Sequence, residues 1–216
     1  MTQKITRNNL TDRALKHHCN EKTYKTADTV DFIITLVLVV LAVFAFRSFI
    51  FEPIRVSGSS MESTLYNNDR MFVEKFTYWF DRPSRGDIII CYYPPTYKRG
   101  KLNDTYVKRV IGLPGETIRI ENCKVYIKGT QSNAEFKPLT EKYIDPADLL
   151  FSPYSNLEYK IPNDCIFVMG DNRDESADSR ANNIGAIKLT SVVGKVHGVI
   201  YPISHIKEIN TVNYGE

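Results

Sequence analysis

The stretch TYVKRVIGLPGETIRIENCKVYIKG, residues 105–129, decides the fold class of this chain. Its first nine residues are rich in β-branched and aromatic side chains, and a Pro–Gly pair closes that run. Residues 117–129 alternate in the same way around Glu121–Asn122 and end in a glycine, which predicts a hairpin. The stretch therefore predicts three consecutive short strands and no helix.

Similar runs recur on both sides of this stretch. They cover residues 70–76, 87–93, 165–170 and 191–203. Residues 130–160 are polar and irregular, so they are predicted to be a surface excursion. Short strands with few helical periods predict a mainly β domain built on an antiparallel sheet.

One segment departs from this pattern, the apolar run FIITLVLVVLAVFAFRSFIF at residues 32–51. Its length matches a hydrocarbon core of about 30 Å, and Arg47 is near enough to one end to reach the headgroups. A cleaved signal peptide fits less well, because 31 residues precede the run and no small-x-small site follows it closely. A buried core helix would carry a polar stripe, which this run lacks. We therefore expect a transmembrane helix at residues 32–51.

This span divides the chain into an N-terminal segment, 1–31, the helix, and a domain at 52–216. Basic residues in the first segment favour a cytoplasmic N-terminus and an extracytoplasmic domain, as in a single-pass protein of the cell membrane. The bias is modest, because Arg47 lies near the end of the run and Arg55 and Arg70 follow it. The basic residues of the first segment are Lys4, Arg7, Arg13, Lys16, Lys22 and Lys25.

Composition excludes several other functions. A formal net charge of +3 is too small and too dispersed to predict binding to nucleic acid. The four cysteines form no CxxC pair, so we expect no metal site and no cofactor. One disulfide is possible among Cys91, Cys123 and Cys165, with Cys123–Cys165 as the pair considered.

The segment RVSGSSMESTL, residues 55–65, places four serines just after the apolar run. It is either a polar linker or the site of a nucleophile, and a serine needs a neighbouring base to become nucleophilic. Of the two histidines after the run, His197 alternates with valines, which favours a place on a strand surface; the other is His205. Lys108 lies among apolar residues, where burial would remove its charge and make it a base. A lysine in a strand more often faces solvent, so the residues alone leave these alternatives open.

Four motifs resemble the ordered sequence boxes of bacterial type I signal peptidases, in particular the shorter Gram-positive type. They are RSFIFEPIRVSGSSMESTL at 47–65, RGDIII at 85–90, YVKRVIGLPGE at 106–116 and GDNRDESADSR at 170–180. A lone GSSM would be a weak match, whereas four boxes in this order are a specific one.

The resemblance implies roles for individual residues. The serine before Met61, Ser60, matches the family nucleophile, and Lys108 matches its general base. Ser176 matches a serine that hydrogen-bonds the lysine and orients it. The remaining supporting residues would form two ion pairs, Arg109 with Asp171 and Asp178 with Arg180.

Two positions depart from the family pattern. Some members have a serine two residues before the nucleophile as a second oxyanion donor, and this chain has Gly58 there. The proline that is common three residues after the nucleophile is Ser63 here. The first departure removes a side-chain donor, and the second is expected to loosen the turn.

The resemblance also implies a substrate, an extended peptide that adds to the strands leading to Ser60 and carrying Lys108. Small side chains before the cut would enter shallow pockets. The alternative for each apolar candidate is core packing. The candidate lining residues are Val56, Ser57, Met61, Leu65, Tyr106 and Val107.

The implied function is a membrane-anchored endopeptidase that removes signal peptides from exported precursors after Ala-x-Ala-type sites. We expect a monomer in contact with membrane lipid. Alternatives are a non-cleaving, signal-peptidase-like pilus assembly factor, a dedicated rather than general signal peptidase, and a self-cleaving repressor protease. The apolar run argues against the last. The aromatic residues expected either at the membrane interface or in the core are Phe76, Tyr78, Trp79 and Phe80.

Overall fold

The structure, a computed structural model, describes residues 21–92, 105–144, 156–212 and 214. It divides into two units, Met1–Ser48 and Phe49–Glu216. The division lies a few residues before the predicted boundary between 51 and 52.

A single helix, α1 (Glu21–Ile50), contains almost all of the apolar run. The Thr35 hydroxyl donates a hydrogen bond of 2.8 Å to the Asp31 carbonyl one turn earlier. In the described part of the chain, no helix is both long and apolar enough to cross a membrane. The transmembrane role of residues 32–51 remains a prediction.

The second unit is built from strands, and its described residues form twelve of them. In chain order they are β1 (Phe51–Arg55), β2 (Arg70–Glu74), β3 (Ile88–Tyr92), β4 (Thr105–Gly112), β5 (Thr117–Glu121), β6 (Lys124–Lys128), β7 (Lys137–Pro138), β8 (Asn156–Lys160), β9 (Cys165–Met169), β10 (Ile187–Lys188), β11 (Val192–Tyr201) and β12 (Lys207–Glu208). A short helix, α2 (Thr77–Phe80), follows β2, and two 3-10 turns occupy Leu189–Ser191 and Ile203–His205.

The strands form two antiparallel sheets. The larger sheet has the order β1-β2-β11-β3-β4-β9-β10, with β12 beside β11, and the smaller has the order β7-β6-β5-β8. β5 and β6 form the predicted hairpin, whose turn residues Asn122 and Cys123 both have positive φ. The prediction of a mainly β domain with an antiparallel sheet is confirmed.

The prediction for residues 130–160 was wrong in part. β8 pairs along its whole length with β5, although its burial alternates only weakly and its residues are mostly polar. Leu157 and Tyr159 pack on the core of the smaller sheet, and Ile144 is buried. Residues 145–155 lie outside the described part of the chain.

Three apolar clusters of the described residues hold the sheets together, and each one contains or contacts a residue of β4. One joins the segment after β1 to β2, β3 and β11 through residues such as Met61 and Leu65. Another joins β3, β4 and β9 through Ile89, Cys91 and Val168. β4, which carries the buried residues Lys108 and Arg109, is therefore fixed in an environment that excludes water.

The cysteines that the structure describes are free thiols. The disulfide considered between Cys123 and Cys165 is therefore not formed. Burial raises the pKa of the Cys91 thiol to about 12, so this thiol stays protonated at neutral pH.

Of the four aromatic residues after β2, three are exposed and one is anchored. Phe76, Trp79 and Phe80 are exposed, while the Tyr78 hydroxyl donates a 2.9 Å hydrogen bond to Asp87. Burial and the nearby Asp87 carboxylate raise the pKa of Tyr78, which fixes it as a neutral donor.

Candidate active site

Ser60 lies in a tight turn between β1 and β2, not in the strand itself. The turn is closed by hydrogen bonds from the Leu65 amide to the Met61 carbonyl, 2.7 Å, and from the Glu62 amide to the Ser59 carbonyl, 2.9 Å. The side chains of Met61 and Leu65 are buried in the core, which anchors the turn from below. Ser60 itself remains partly exposed.

Lys108 reaches this turn from the middle of β4. Its Nζ lies 2.6 Å from the Ser60 Oγ and donates a second hydrogen bond of 3.1 Å to the Val107 carbonyl. The lysine is only 3% exposed. Burial lowers the pKa of Lys108, and the Asp178 carboxylate only partly opposes that effect. A neutral amine in this position can accept the serine proton.

The loop after β9 reaches the same turn from the other side. The Asn172 amide donates a 3.2 Å hydrogen bond to the Ser60 carbonyl, and the Asn172 side chain donates another of 3.2 Å to the Ser59 carbonyl. A Cβ atom on Gly170 would lie 2.3 Å from the Ser60 carbonyl oxygen, so only glycine allows this approach. Sequence reasoning assigned no role to Gly170 or Asn172. The signal available in the sequence was a glycine directly after the apolar run CIFVM, residues 165–169.

Arg109 follows Lys108 on β4 and forms a two-point ion pair with Asp171. The Arg109 Nε lies 2.8 Å from Asp171 Oδ1, and Nη2 lies 2.7 Å from Oδ2. Arg109 Nη1 also donates to the Gly86 carbonyl at 2.9 Å, and the Thr64 hydroxyl donates to Asp171 at 2.5 Å. One carboxylate thus ties β4 to the Ser60 turn. The predicted pair is present.

Asp178 and Arg180 form the second predicted pair, with distances of 2.8 and 2.9 Å. Asp178 also accepts a 2.9 Å hydrogen bond from the Gly170 amide. Burial alone would raise the pKa of Asp178, but the hydrogen bonds from Arg180 and Gly170 outweigh it and the pKa is lowered. The carboxylate is therefore charged and holds the loop closed.

Ser176 departs from its predicted contact. Its hydroxyl is buried against Gly170 and has no hydrogen-bond partner among the described residues. It lies close enough to Asp178 to lower the pKa of that carboxyl, but short of hydrogen-bond geometry. The predicted hydrogen bond from Ser176 to Lys108 is not formed, since the contacts of the lysine are with Ser60 and Val107.

The histidines are engaged elsewhere. His197 on β11 forms a 2.6 Å contact with Glu74, and His205 forms one of 2.8 Å with Asp69. Neither contact includes Ser60, so the geometry favours Lys108 as the basic partner of the serine.

A family model described as signal peptidase, peptidase S26, matches residues 29–201. The chain belongs to the signal peptidase S26 family. It is a hydrolase of the peptidase class, and the resemblance drawn from the four motifs is confirmed.

Known signal peptidases match most of the chain. Signal peptidase I P of Bacillus subtilis subsp. natto is 39% identical over 166 residues, which are 76% of this chain and 84% of that protein. Signal peptidase I of Leptolyngbya laminosa is 36% identical over 166 residues, 76% of this chain and 75% of that protein. A solved signal peptidase I from Enterococcus faecalis V583 has 32% identity and a TM-score of 0.41, covering 53% of this chain and 97% of that chain.

The residues predicted to line the signal peptidase substrate site fall into two groups. Val56, Met61 and Leu65 are buried in the core, with exposures of 4%, 1% and 0%. Their burial favours the alternative interpretation, core packing. The group nearer the surface consists of Ser57, which is exposed, Tyr106, which is exposed, and Val107, which is half-buried.

Tyr106 lies on β4 two residues before the lysine. Its ring centroid is 5.5 Å from the Lys108 Nζ. A substrate backbone beside β4 would contact this exposed ring, so substrate contact through Tyr106 remains a prediction that the geometry allows.

Proposed function

We propose that this chain is an endopeptidase that cleaves N-terminal signal peptides from exported precursor proteins. In this proposal Ser60 is the nucleophile and Lys108 is the general base. The observation that carries it is the 2.6 Å distance between the Lys108 Nζ and the Ser60 Oγ, inside a site that lowers the pKa of the lysine. The relatives named signal peptidase I support the same reaction.

The first step is acylation. The Ser60 Oγ attacks the scissile carbonyl carbon while the neutral Lys108 amine takes the hydroxyl proton, as in other serine–lysine variants of the triad scheme. The resulting ammonium then gives that proton to the leaving amine of the mature protein. An ester between Ser60 and the signal peptide remains.

The second step returns the enzyme to its starting state. Lys108, neutral again, takes a proton from water as the water oxygen attacks the ester carbonyl. The bond between that carbon and the Ser60 Oγ then breaks, Lys108 returns the proton to Oγ, and the signal peptide leaves with a free carboxyl group. The Ser60 amide is proposed to donate to the oxyanion in both steps. Each such donor is worth roughly 3 kcal/mol of barrier. With Gly58 in place of a serine, no side-chain donor is proposed from that position.

The substrate is proposed to bind as an extended strand beside β4, with small residues of an Ala-x-Ala type before the cut. Ser57, Tyr106 and Val107 are the proposed contacts that the described surface makes available. We further propose that residues 32–51 anchor the chain as a single-pass protein with a cytoplasmic N-terminus. Membrane-bound precursors would then present their cleavage sites close to the Ser60 turn.

One experiment separates this proposal from its alternatives. The full-length chain in detergent is incubated with each of several precursors that carry an Ala-x-Ala site. Ser60→Ala, Lys108→Ala and the matched control His197→Ala are assayed in parallel. Loss of the base is expected to lower the cleavage rate by about 10²–10⁴-fold. The Ser60 variant should be at least as slow, and His197→Ala should cleave at the wild-type rate.

Two results would overturn parts of the proposal. Normal cleavage by Lys108→Ala, or inactivity of His197→Ala, would refute the assignment of the base. A wild-type chain that leaves every precursor intact would favour a non-cleaving assembly factor. A wild type that cleaves some precursors and leaves others intact would indicate a dedicated signal peptidase.

A further inference from the structure

Tyr143, in the excursion that the sequence predicted to be irregular, packs directly on the Arg109–Asp171 pair. The Tyr143 ring lies over the Arg109 guanidinium, with its centroid 3.9 Å from Cζ. Arg109 is only 2% exposed; Asp171 and the Gly86 carbonyl accept hydrogen bonds from the edge of its guanidinium, and the ring covers one face. Stacking of this kind is strongest when the cation is desolvated.

Tyr143 is held in place by a chain of hydrogen bonds. Its hydroxyl donates to Glu141 at 2.6 Å and accepts from the Tyr214 hydroxyl at 3.0 Å. Glu141 in turn pairs with the buried Arg173 of the loop after β9. Burial raises the pKa of Tyr214 to about 12, so this hydroxyl stays a donor at neutral pH. The Tyr143 hydroxyl is therefore fixed between Glu141 and Tyr214.

The same tyrosine is connected to the Ser60 turn by two routes. Through Arg109 it reaches Asp171, which accepts a hydrogen bond from Thr64. Through its own carbonyl it accepts a 3.2 Å hydrogen bond from the Ser63 hydroxyl. Both residues belong to the turn that presents the nucleophile.

We propose that Tyr143, braced by Tyr214, is a positioning residue that holds the Ser60 turn through the Arg109–Asp171 pair. Tyr143 does not touch the reacting atoms. It fixes the guanidinium, the guanidinium fixes Asp171, and Asp171 fixes the turn together with the adjacent Asn172 amide that holds the Ser60 carbonyl. The effect on catalysis rests on the proposed roles of Ser60 and Lys108.

The chain offers a matched control in its smaller sheet. There the Phe136 ring also lies 3.9 Å over an arginine, Arg119, which is paired with Glu158 at 2.9 Å. The members of this pair are exposed, and none of their described contacts reaches the Ser60 turn. Removing each ring therefore removes the same contact between a ring and a guanidinium, in one case with a connection to the Ser60 turn and in the other without it.

The activity test uses Tyr143→Leu, Tyr143→Phe and Phe136→Leu in the full-length chain with a short Ala-x-Ala peptide. Because small misplacements of reacting groups are costly, Tyr143→Leu is expected to lower kcat by about 10-fold or more and to leave KM within about 2-fold. Tyr143→Phe keeps the ring and should recover most of the rate, and Phe136→Leu should match wild type. Equal kcat in Tyr143→Leu and wild type would overturn the inference, as would a change confined to KM.

Hydrogen exchange provides a readout that does not depend on cleavage. The Asn172 amide, which donates to the Ser60 carbonyl, is expected to exchange faster in Tyr143→Leu than in wild type or Phe136→Leu. Amides of β5 should exchange at the wild-type rate, which excludes general loosening. Unchanged exchange at Asn172 in Tyr143→Leu refutes the positioning role, even if wild type cleaves nothing. If wild type cleaves nothing but exchange at Asn172 is faster in Tyr143→Leu, the proposed function alone is refuted.

Discussion

Two arginines in this protein each contact an aromatic ring and a carboxylate, but one arginine is buried and the other is exposed to solvent. We call Arg109, Asp171 and Tyr143 the Arg109 set, and Arg119, Glu158 and Phe136 the Arg119 set. In each, an aromatic ring lies 3.9 Å from the guanidinium carbon and a carboxylate lies within 2.9 Å. The Arg109 and Asp171 side chains are 2% and 0% exposed, against 41% and 55% for Arg119 and Glu158.

This difference decides what each set can do. In water an ion pair gains little, because solvent screens the charges and the long side chains lose freedom. In the dry interior the same pair cannot lose one member without leaving a charge uncompensated. The Arg109 set can therefore fix the geometry of the proposed active site, whereas the Arg119 set lies exposed on the surface of a sheet.

The largest expected effect comes from removing each carboxylate. Asp171→Ala leaves the Arg109 charge buried without its partner and is expected to lower the free energy of unfolding by about 3–5 kcal/mol. Glu158→Ala leaves Arg119 in water and should cost about 1 kcal/mol or less. Urea unfolding followed by circular dichroism measures both values. Equal losses of unfolding free energy in the two variants would contradict the difference proposed between the two sets.

The next effect concerns the turn that the Arg109 set supports. Ser63 has φ of 80°, a left-handed conformation that proline, fixed near −65°, cannot adopt. Ser63→Pro is therefore expected to destabilise the protein by about 2–3 kcal/mol, although proline is common at this place in the family pattern. Ser63→Gly, which suits positive φ, should stay within about 1 kcal/mol of wild type. A proline variant as stable as wild type would show that the turn has a different conformation.

Burial of Lys108 also makes the free energy of unfolding depend on pH. Because its pKa is lowered from the ordinary 10.5, the unfolded chain binds the proton first as pH falls. Stability from this group therefore rises with pH across the window between the lowered pKa and 10.5. Lys108→Met should be more stable than wild type at pH 7, with the gap closing toward pH 10.5. A gap that is constant with pH would mean that Lys108 is not desolvated.

The smallest effect is on salt dependence. Exposed pairs are screened at high ionic strength, so the destabilisation by Glu158→Ala should shrink by about 0.5 kcal/mol or less in 1 M salt. The destabilisation by Asp171→Ala should change less as a fraction of its size. Denaturation with urea in both salt conditions gives the comparison.

The sequence was informative where local patterns and physical constraints coincide. Five strands of the larger sheet, β2, β3, β4, β9 and β11, follow from runs of β-branched residues, whereas β1, β10 and β12 were not predicted from such runs. The Ser60–Lys108 contact follows from the family motifs. β8 was missed because its pairing with β5 depends on a partner 39 residues earlier along the chain at Arg119–Glu158, not on its own pattern. Tyr143 was missed for the same reason, since nothing near it in sequence points to Arg109.

Burial of the polar residues was the hardest feature to predict. The acidic and basic residues of 170–180 have the composition of a solvated loop, yet Asp171, Arg173, Asp178 and Arg180 are buried. They are buried because each charge has a partner, and composition alone does not show which charges are paired. The Ser176 contact shows the converse, because a family motif does not determine where one hydroxyl points.

The central claim is that neutral Lys108 activates Ser60, and the pH dependence of kcat/KM tests it most directly. Cleavage by wild type and by His197→Ala is measured from pH 5 to pH 10.5 with the same Ala-x-Ala peptide, and Lys108→Ala is measured for comparison. We expect the same ascending limb in both, with a midpoint below the ordinary lysine pKa of 10.5, because the base must lose its proton to act. Loss of that limb in His197→Ala, or its survival in Lys108→Ala, would contradict the account.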